Sequence, residues 1–159
     1  MVYDLRPSLA DISHFLSRRR LAMVGVSQNP RDFTRSLFRE FISRGYDVVP
    51  VHPGVAEIEG HSCYARVQDI APPVAAVLVL TPPAVTNQIA HDCVDAGVAE
   101  VWMYRAAGAG AVSREAIDYC EANGIRVIPG ECPFMFFPRT GLPHRIHGFV
   151  RRITRSYPQ

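Results

Sequence analysis

The 159-residue chain contains no lysine; all 17 of its basic residues are arginine. That excludes a P-loop lysine, Schiff-base chemistry and a lysine general base, and leaves any phosphate to arginine, histidine, hydroxyls or backbone amides. No apolar run approaches the ~18 residues of a membrane span, and the opening MVYDLRPSLADIS has no signal-peptide apolar region. The expected location is therefore cytoplasmic, with no membrane partner. The four cysteines, Cys63, Cys93, Cys120 and Cys132, form no C-x-x-C pair, which argues against a zinc ribbon or a disulfide framework. Acidic residues are absent beyond Glu131, where Arg139, Arg145, Arg151, Arg152 and Arg155 follow; the tail carries +5 and the remainder −3. The negative balance of the main body argues against a nucleic-acid partner.

What is present alternates between strand and helix signals. Leu21–Val24 is an apolar run ending at Gly25. From Arg31 to Arg44 the residues Phe33, Leu37, Phe38, Phe41 and Ile42 recur at helical spacing; Gly45 then stops the helix and a strand follows to Val51. Val74–Leu80 is continuously apolar, as in a strand buried on both faces. A helix over 83–96 is expected to turn Val85, Ile89, Cys93 and Val94 inward before Gly97, with a strand from Val98 to Tyr104. Ser113 is an expected N-cap for a helix to Asn123, and Gly124 precedes the strand Ile125–Pro129. Five strands with such crossovers predict a Rossmann-like α/β domain: a doubly wound, five-stranded parallel sheet with helices on both faces. A leading helix is expected over 8–18, with Leu9, Ile12, Phe15 and Leu16 on one side, and a basic helical tail beyond the domain. The expected division is a domain over 1–138 and an extension over 139–159, in which Leu142, Ile146, Phe149, Val150 and Ile153 recur at helical intervals.

Ligands of such sheets bind at the carboxyl ends of the strands, near the first strand–helix turn. Here that turn reads Gly25-Val26-Ser27-Gln28-Asn29-Pro30-Arg31. Gly25 permits close backbone approach, Ser27 supplies a hydroxyl, and the free amides of the next helix are candidates for a phosphate. Arg31 and Arg35, one turn apart on that helix, are candidates for a cationic clamp. The second strand ends Val51-His52-Pro53-Gly54, with no carboxylate before Glu57 to accept the ribose hydroxyls of NAD.

Taken together, the Gly25-x-Ser27 loop, the strand G-Y-x-V-x-P-V-x-P, the segment E-I-E-G-H-S-C-Y and the strand end I-P-G-E-C-P resemble the CoA-binding domain family. These are small proteins related to the N-terminal domain of the succinyl-CoA synthetase α subunit. The resemblance spans residues 21–133. It implies coenzyme A as cofactor, with pyrophosphate over Ser27–Pro30, adenosine along His52 and Pro53, and further contacts from Thr81-Pro82-Pro83 and Tyr104-Arg105. Family members often carry a lysine beyond the second strand's proline, where this chain has Gly54-Val55. The glycine-rich loop from Tyr104 to Gly110 departs from the family's usual form and is expected to be mobile or widened, with Arg105 as a candidate replacement cation.

No complete catalytic constellation is present. The loop lacks the second glycine of a nucleophile elbow, and the tail pair His144 and His147 has no third metal ligand. Cys132, before Pro133 at a strand end, is either a packing residue or a thiol near the CoA thiol. The leading expectation is a non-catalytic CoA or acyl-CoA binding protein, homodimeric. The alternatives are the CoA-binding component of an acyl-CoA ligase acting with a separate ATP-grasp partner, and an NAD(P)-responsive regulator.

Overall fold

Residues 6–138 are described by the computed structural model, and the expected tail helix lies outside them. Five parallel strands form one sheet: β1 (Arg20–Val24), β2 (Asp47–Val51), then β5 (Ala76–Val79), β6 (Glu100–Met103) and β7 (Arg126–Pro129), in the order β2-β1-β5-β6-β7. This is the expected doubly wound architecture. The sequence reading missed a two-stranded antiparallel hairpin, β3 (Glu57–Ile58) and β4 (His61–Ser62), which follows β2. Two-residue strands are too short for a period-2 pattern to register.

The helices are α1 (Leu9–Ser17), α2 (Phe33–Ser43), α3 (Pro83–Asp95) and α4 (Arg114–Ala122). Three of them end alike. Gly45, Gly97 and Gly124 have φ of +82°, +70° and +78°, and the amide after each glycine donates five residues back, Tyr46 to Phe41, Val98 to Cys93 and Ile125 to Cys120. Glycine is suited to this left-handed position, and the paired bonds satisfy the orphan carbonyls while aiming the chain into the next strand.

The strands alternate sides. Ala22, Val24, Val77, Val79, Val101 and Met103 pack with Ala90 and Cys93 of α3 and Ile117 and Cys120 of α4. Leu21, Met23, Leu78 and Trp102 pack on the opposite face with Ile12 and Phe15 of α1 and Leu37, Phe38 and Phe41 of α2. Trp102 is fully buried, donates Nε1–H to the Gly130 carbonyl at 2.7 Å, and meets Phe15 edge-on at 5.3 Å. At the amino ends of the strands Glu100, nearly buried, accepts from Arg18 Nε and Arg126 at 3.0 Å each and pairs with His14, tying α1 to the sheet.

Two local expectations are corrected. Arg31 precedes α2, which begins at Phe33 with Asp32 as N-cap, so Arg31 and Arg35 do not share a helix. Val85 of α3 is 46 % exposed instead of inward; Thr86, Ala90 and Cys93 take the core positions. Pro82 caps α3 and Pro83 is its first residue. Among the described residues, no helix is long and apolar enough to cross a membrane.

Candidate functional site

The chain leaves β1 for β2 on one side of the sheet and crosses back to β5 on the other. A crevice forms where such paths diverge. Here it is a cavity of about 550 Å³, within the usual range for small-molecule sites. Val24, Gly25, Val51, His52, Pro53 and Thr81 line it from the strand ends. Val85, Gln88, Ile89 and Asp92 line it from α3, and Ala65 and Arg66 close the remaining side.

Gly25 is the hinge of this wall. Its φ is +95°, and a Cβ there would stand 3.0 Å from Thr81 Cγ2 and 3.2 Å from the Leu80 carbonyl carbon. The strands therefore meet more closely at the crevice than a side chain allows. His52 is held at both ends: its amide donates to the Tyr64 carbonyl at 2.9 Å, and its Nδ1 accepts from the Gly54 amide at 3.0 Å. An accepting Nδ1 leaves the proton on Nε2, which is then a donor. Thr81 Oγ1 is paired with Thr86 Oγ1 at 2.9 Å.

Beside the cavity, the loop 25–31 is stitched by its own side chains. The Ser27 amide donates to Thr34 Oγ1 at 2.9 Å, Ser27 Oγ accepts from the Asn29 amide at 3.1 Å, and Asn29 Oδ1 accepts from the Arg31 amide at 3.0 Å. The expected open helix end is partly closed. The Asp32 carboxylate accepts from the Thr34 amide at 2.8 Å and the Thr34 hydroxyl at 2.7 Å, which hold its pKa below the ordinary value, the hydroxyl bond foremost. Among the described residues, the Gln28 and Phe33 amides have no acceptor.

Arg35 does not project as half of a clamp. It is 8 % exposed, lies beneath the loop, and donates to the carbonyls of Ser27 and Gln28 at 3.2 Å each and to Glu59 Oε1 at 2.7 Å. Arg39 donates to the same carboxylate oxygen at 2.7 Å and to the Pro30 carbonyl at 3.1 Å. The two guanidiniums hold the Glu59 carboxyl below its usual pKa, the Arg39 bond being the larger cause. Because a peptide's carbonyl and the following N–H point in opposite directions, fixing two carbonyls downward turns the Gln28 and Asn29 amides up, away from Arg35. The Asn29 amide is taken by Ser27 Oγ, which leaves the Gln28 amide as the open donor of this loop.

Tyr104 and Arg105 do not line the cavity. They follow β6, one strand further along, and the loop after them is closed rather than widened. The Ala111 amide donates to the Tyr104 carbonyl at 2.7 Å, the Arg105 amide to Glu131 at 3.1 Å, and a Cβ on Gly110 would meet Arg105 Cα at 2.8 Å. The Arg105 guanidinium lies beside Gly130, 3.4 Å from where a Cβ would stand. The Tyr104 ring stacks near Phe33 at 5.5 Å, and its phenol, raised in pKa mainly by burial, meets the Cys132 thiol. That thiol is 1 % exposed and pushed up to about 11 chiefly by burial, which makes it a packing group at neutral pH.

Thus Gly25, His52, Pro53 and Thr81 come together in the cavity, and Val26, Ser27, Gln28, Asn29 and Pro30 form its neighbouring loop. Pro82 and Pro83 start the helix that walls it, Arg31 is exposed beside the loop, and Arg35 underpins it. Sequence reasoning missed Arg66, Gln88 and Asp92. The signal for the last two was a polar pair four residues apart beside Ile89 and Cys93, on a stripe that otherwise faces the core. Among the described residues, no group of three or more His, Cys, Asp or Glu side chains suits a metal. Among the described residues, the histidines outside the cavity are engaged structurally: His61 with the Glu59 carbonyl, His91 stacked on Tyr119 and His14 with Glu100.

Comparison with known proteins places this geometry in context. The family model described as CoA binding domain matches residues 19–138. The chain is 27% identical over 127 residues to "Uncharacterized protein YneT" of Bacillus subtilis (strain 168), covering 79% of this chain and 91% of that one. A "hypothetical protein from Pyrococcus horikoshii OT3" superposes with a TM-score of 0.72 at 27% identity, over 78% of this chain and 85% of that chain. A "dinucleotide forming Acetyl-coenzyme A synthetase 1" of Ca. Korarchaeum cryptofilum superposes with a TM-score of 0.60 at 25% identity; the match covers 69% of this chain but only 25% of that much longer one.

Proposed function

The chain belongs to the CoA binding domain family, and from that premise we propose that it binds coenzyme A or an acyl-CoA without catalysing a reaction itself. In this reading the adenosine part enters the cavity against His52 and Pro53, and the pyrophosphate lies on the loop 25–30, at the Gln28 amide and the Ser27 hydroxyl. The observation that carries the reading is the meeting of Gly25, His52 and Thr81 at one 550 Å³ cavity beside that loop. Ser27 retains its hydroxyl proton for a phosphate oxygen while accepting from Asn29. In this reading exposed Arg31, beside the loop, stands in for the family's usual lysine.

Thermal unfolding of the full chain with CoA, acetyl-CoA, ATP and NAD, each at matched millimolar concentration, tests it. A ligand at 100 times its Kd adds about 2.7 kcal/mol, hence a shift of roughly 5–10 °C for a domain of this size. The expected result is a shift with the CoA species. A shift with NAD alone overturns the reading in favour of an NAD(P)-responsive regulator.

A second reading has a specific support, the likeness to one quarter of the acetyl-CoA synthetase chain. It makes this protein the CoA-binding component of an acyl-CoA ligase whose ATP-grasp part is a separate chain. Acyl-CoA formation from acid, CoA and ATP only when such a partner is added would favour it. A cytoplasmic location and a homodimeric state belong to the leading reading, and sedimentation equilibrium tests the latter.

A further inference from the structure

The wall of the cavity formed by α3 carries a charge that the phosphate contacts leave unused. Asp92 is only 7 % exposed yet lines the cavity. Its Oδ1 accepts from Gln68 Nε2 at 3.1 Å and from Gln88 Nε2 at 3.3 Å, whereas Oδ2 accepts from none of the described residues. A carboxylate offers only acceptor sites, so both glutamines must turn their NH2 groups to it. That orientation has a visible cost: Gln68 Oε1 is buried without a partner among the described residues.

The surroundings narrow what the open oxygen can meet. Val24, Val51, Pro53, Val85 and Ile89 make the nearby walls apolar. The cation on the rim, Arg66, is taken up by Asp69 at 3.2 Å. Once a ligand covers it, a carboxylate oxygen in such a place is costly unless a donor of that ligand reaches it. A phosphate would meet it with like charge and is excluded from this end of the cavity. An N–H group on a flat, largely apolar body fits.

Gln88 sharpens the requirement. Its NH2 group has a second hydrogen beyond the one given to Asp92, so a donor stands beside an acceptor. Adenine presents the complement, an exocyclic amine that donates next to a ring nitrogen that accepts. A 6-oxopurine presents the reverse at both positions. Guanine's two adjacent donors would need both carboxylate oxygens, and Oδ1 already holds two amides.

We propose that Asp92, flanked by Gln88, reads the 6-amino group of the purine and makes the cavity selective for 6-aminopurine nucleotides over 6-oxopurine ones. The inference rests on the CoA-binding reading and adds the residues that recognise the base.

Calorimetric titration of the full chain with CoA and with its hypoxanthine counterpart, in which only the 6-amino group is replaced by oxygen, tests the proposal. The natural protein is expected to bind the 6-oxo compound at least about tenfold more weakly, the usual cost of opposing a buried acceptor with another acceptor. Asp92→Asn, whose amide can turn either a donor or an acceptor to the base, is expected to bring the two ligands within about threefold of each other. Equal binding of both ligands by the natural protein overturns the proposal while CoA binding itself stands. A preference that persists undiminished in Asp92→Asn also overturns it. Binding of neither ligand by the natural protein removes the CoA reading and this inference together. The comparison of ligands on the natural protein needs no variant, so a poorly folded Asp92→Asn would not decide the matter.

Discussion

Arg35 and Glu59 meet at 2.7 Å beneath the strand–helix loop, joining α2 to the small hairpin that follows β2. The guanidinium is nine-tenths buried, and its remaining donors fix the carbonyls of Ser27 and Gln28. The pair thus sets the direction of the peptide planes above it. Glu59 itself adopts φ +48°, an uncommon conformation for a non-glycine residue, at the turn where its carboxylate can reach both Arg35 and Arg39.

Glu59→Gln is expected to lower stability by about 2 kcal/mol, because charge-assisted hydrogen bonds to a nearly buried guanidinium are lost. CoA affinity should fall with it, as the loop is no longer braced. The stability difference should depend on pH with a definite sign. The folded-state pKa of Glu59 lies below its ordinary value of 4.5, so its contribution is complete above that value and disappears as pH falls through the folded pKa. Melting curves of the two proteins should differ most at neutral pH, and the difference should shrink progressively as the pH is lowered below 4.5.

Gly25→Ala combines a disfavoured φ of +95° with a contact 3.0 Å from Thr81. It should cost upwards of about 2 kcal/mol and abolish the thermal shift by CoA. Gly60→Ala is the matched control, since its φ is +80° but nothing stands within 4 Å. It should cost only about 1 kcal/mol and leave the ligand-induced shift intact. Equal loss of the shift in both would detach the cavity from the ligand.

The Cys132 thiol, with a pKa near 11 and no exposed surface to speak of, should resist alkylation in the folded protein near neutral pH. Peptide mapping after timed iodoacetamide treatment should find it modified only upon unfolding or at strongly alkaline pH. Cys132→Ser should keep CoA affinity within about twofold, since a packing thiol at 1 % exposure offers the ligand no contact. A stable mixed disulfide between folded protein and CoA at this residue would contradict that assignment.

At the opposite end of the sheet, Glu100→Gln should remove about 2 kcal/mol, lowering Tm by roughly 4–8 °C. The carboxylate is 3 % exposed and is shared by Arg18, Arg126 and His14. The CoA-induced shift should survive, because the cavity lies at the carboxyl ends of the strands. Differential scanning calorimetry with and without ligand separates the two effects.

How much of this was legible in advance follows the range of the forces involved. The strand–helix alternation, the Ser113 cap and the helix stops at Gly45, Gly97 and Gly124 were readable because each is decided within a few residues, by periodicity, a capping hydroxyl or tolerance of positive φ. From these the parallel sheet and the position of its first ligand turn follow, since crossover handedness leaves few topologies. The family resemblance, resting on motifs along the same stretch, was legible for the same reason.

Other features were settled only by tertiary structure. Arg35 carries the charge expected of a phosphate clamp, but a carboxylate 24 residues away, on an unforeseen hairpin, draws it under the loop. Asp92 lies on a helix stripe that reads as core, and only the divergence of the chain between β1 and β5 opens a cavity against it. Tyr104 and Arg105 occupy a strand end like the others, yet sheet order sets them one strand away from the cavity, against Phe33, Cys132 and Glu131. A sequence by itself determines which segments become strands and helices, because those choices are local. Which side chains share one cavity, and which charges neutralise each other before a ligand arrives, depends on distances between segments that only the packed fold brings together.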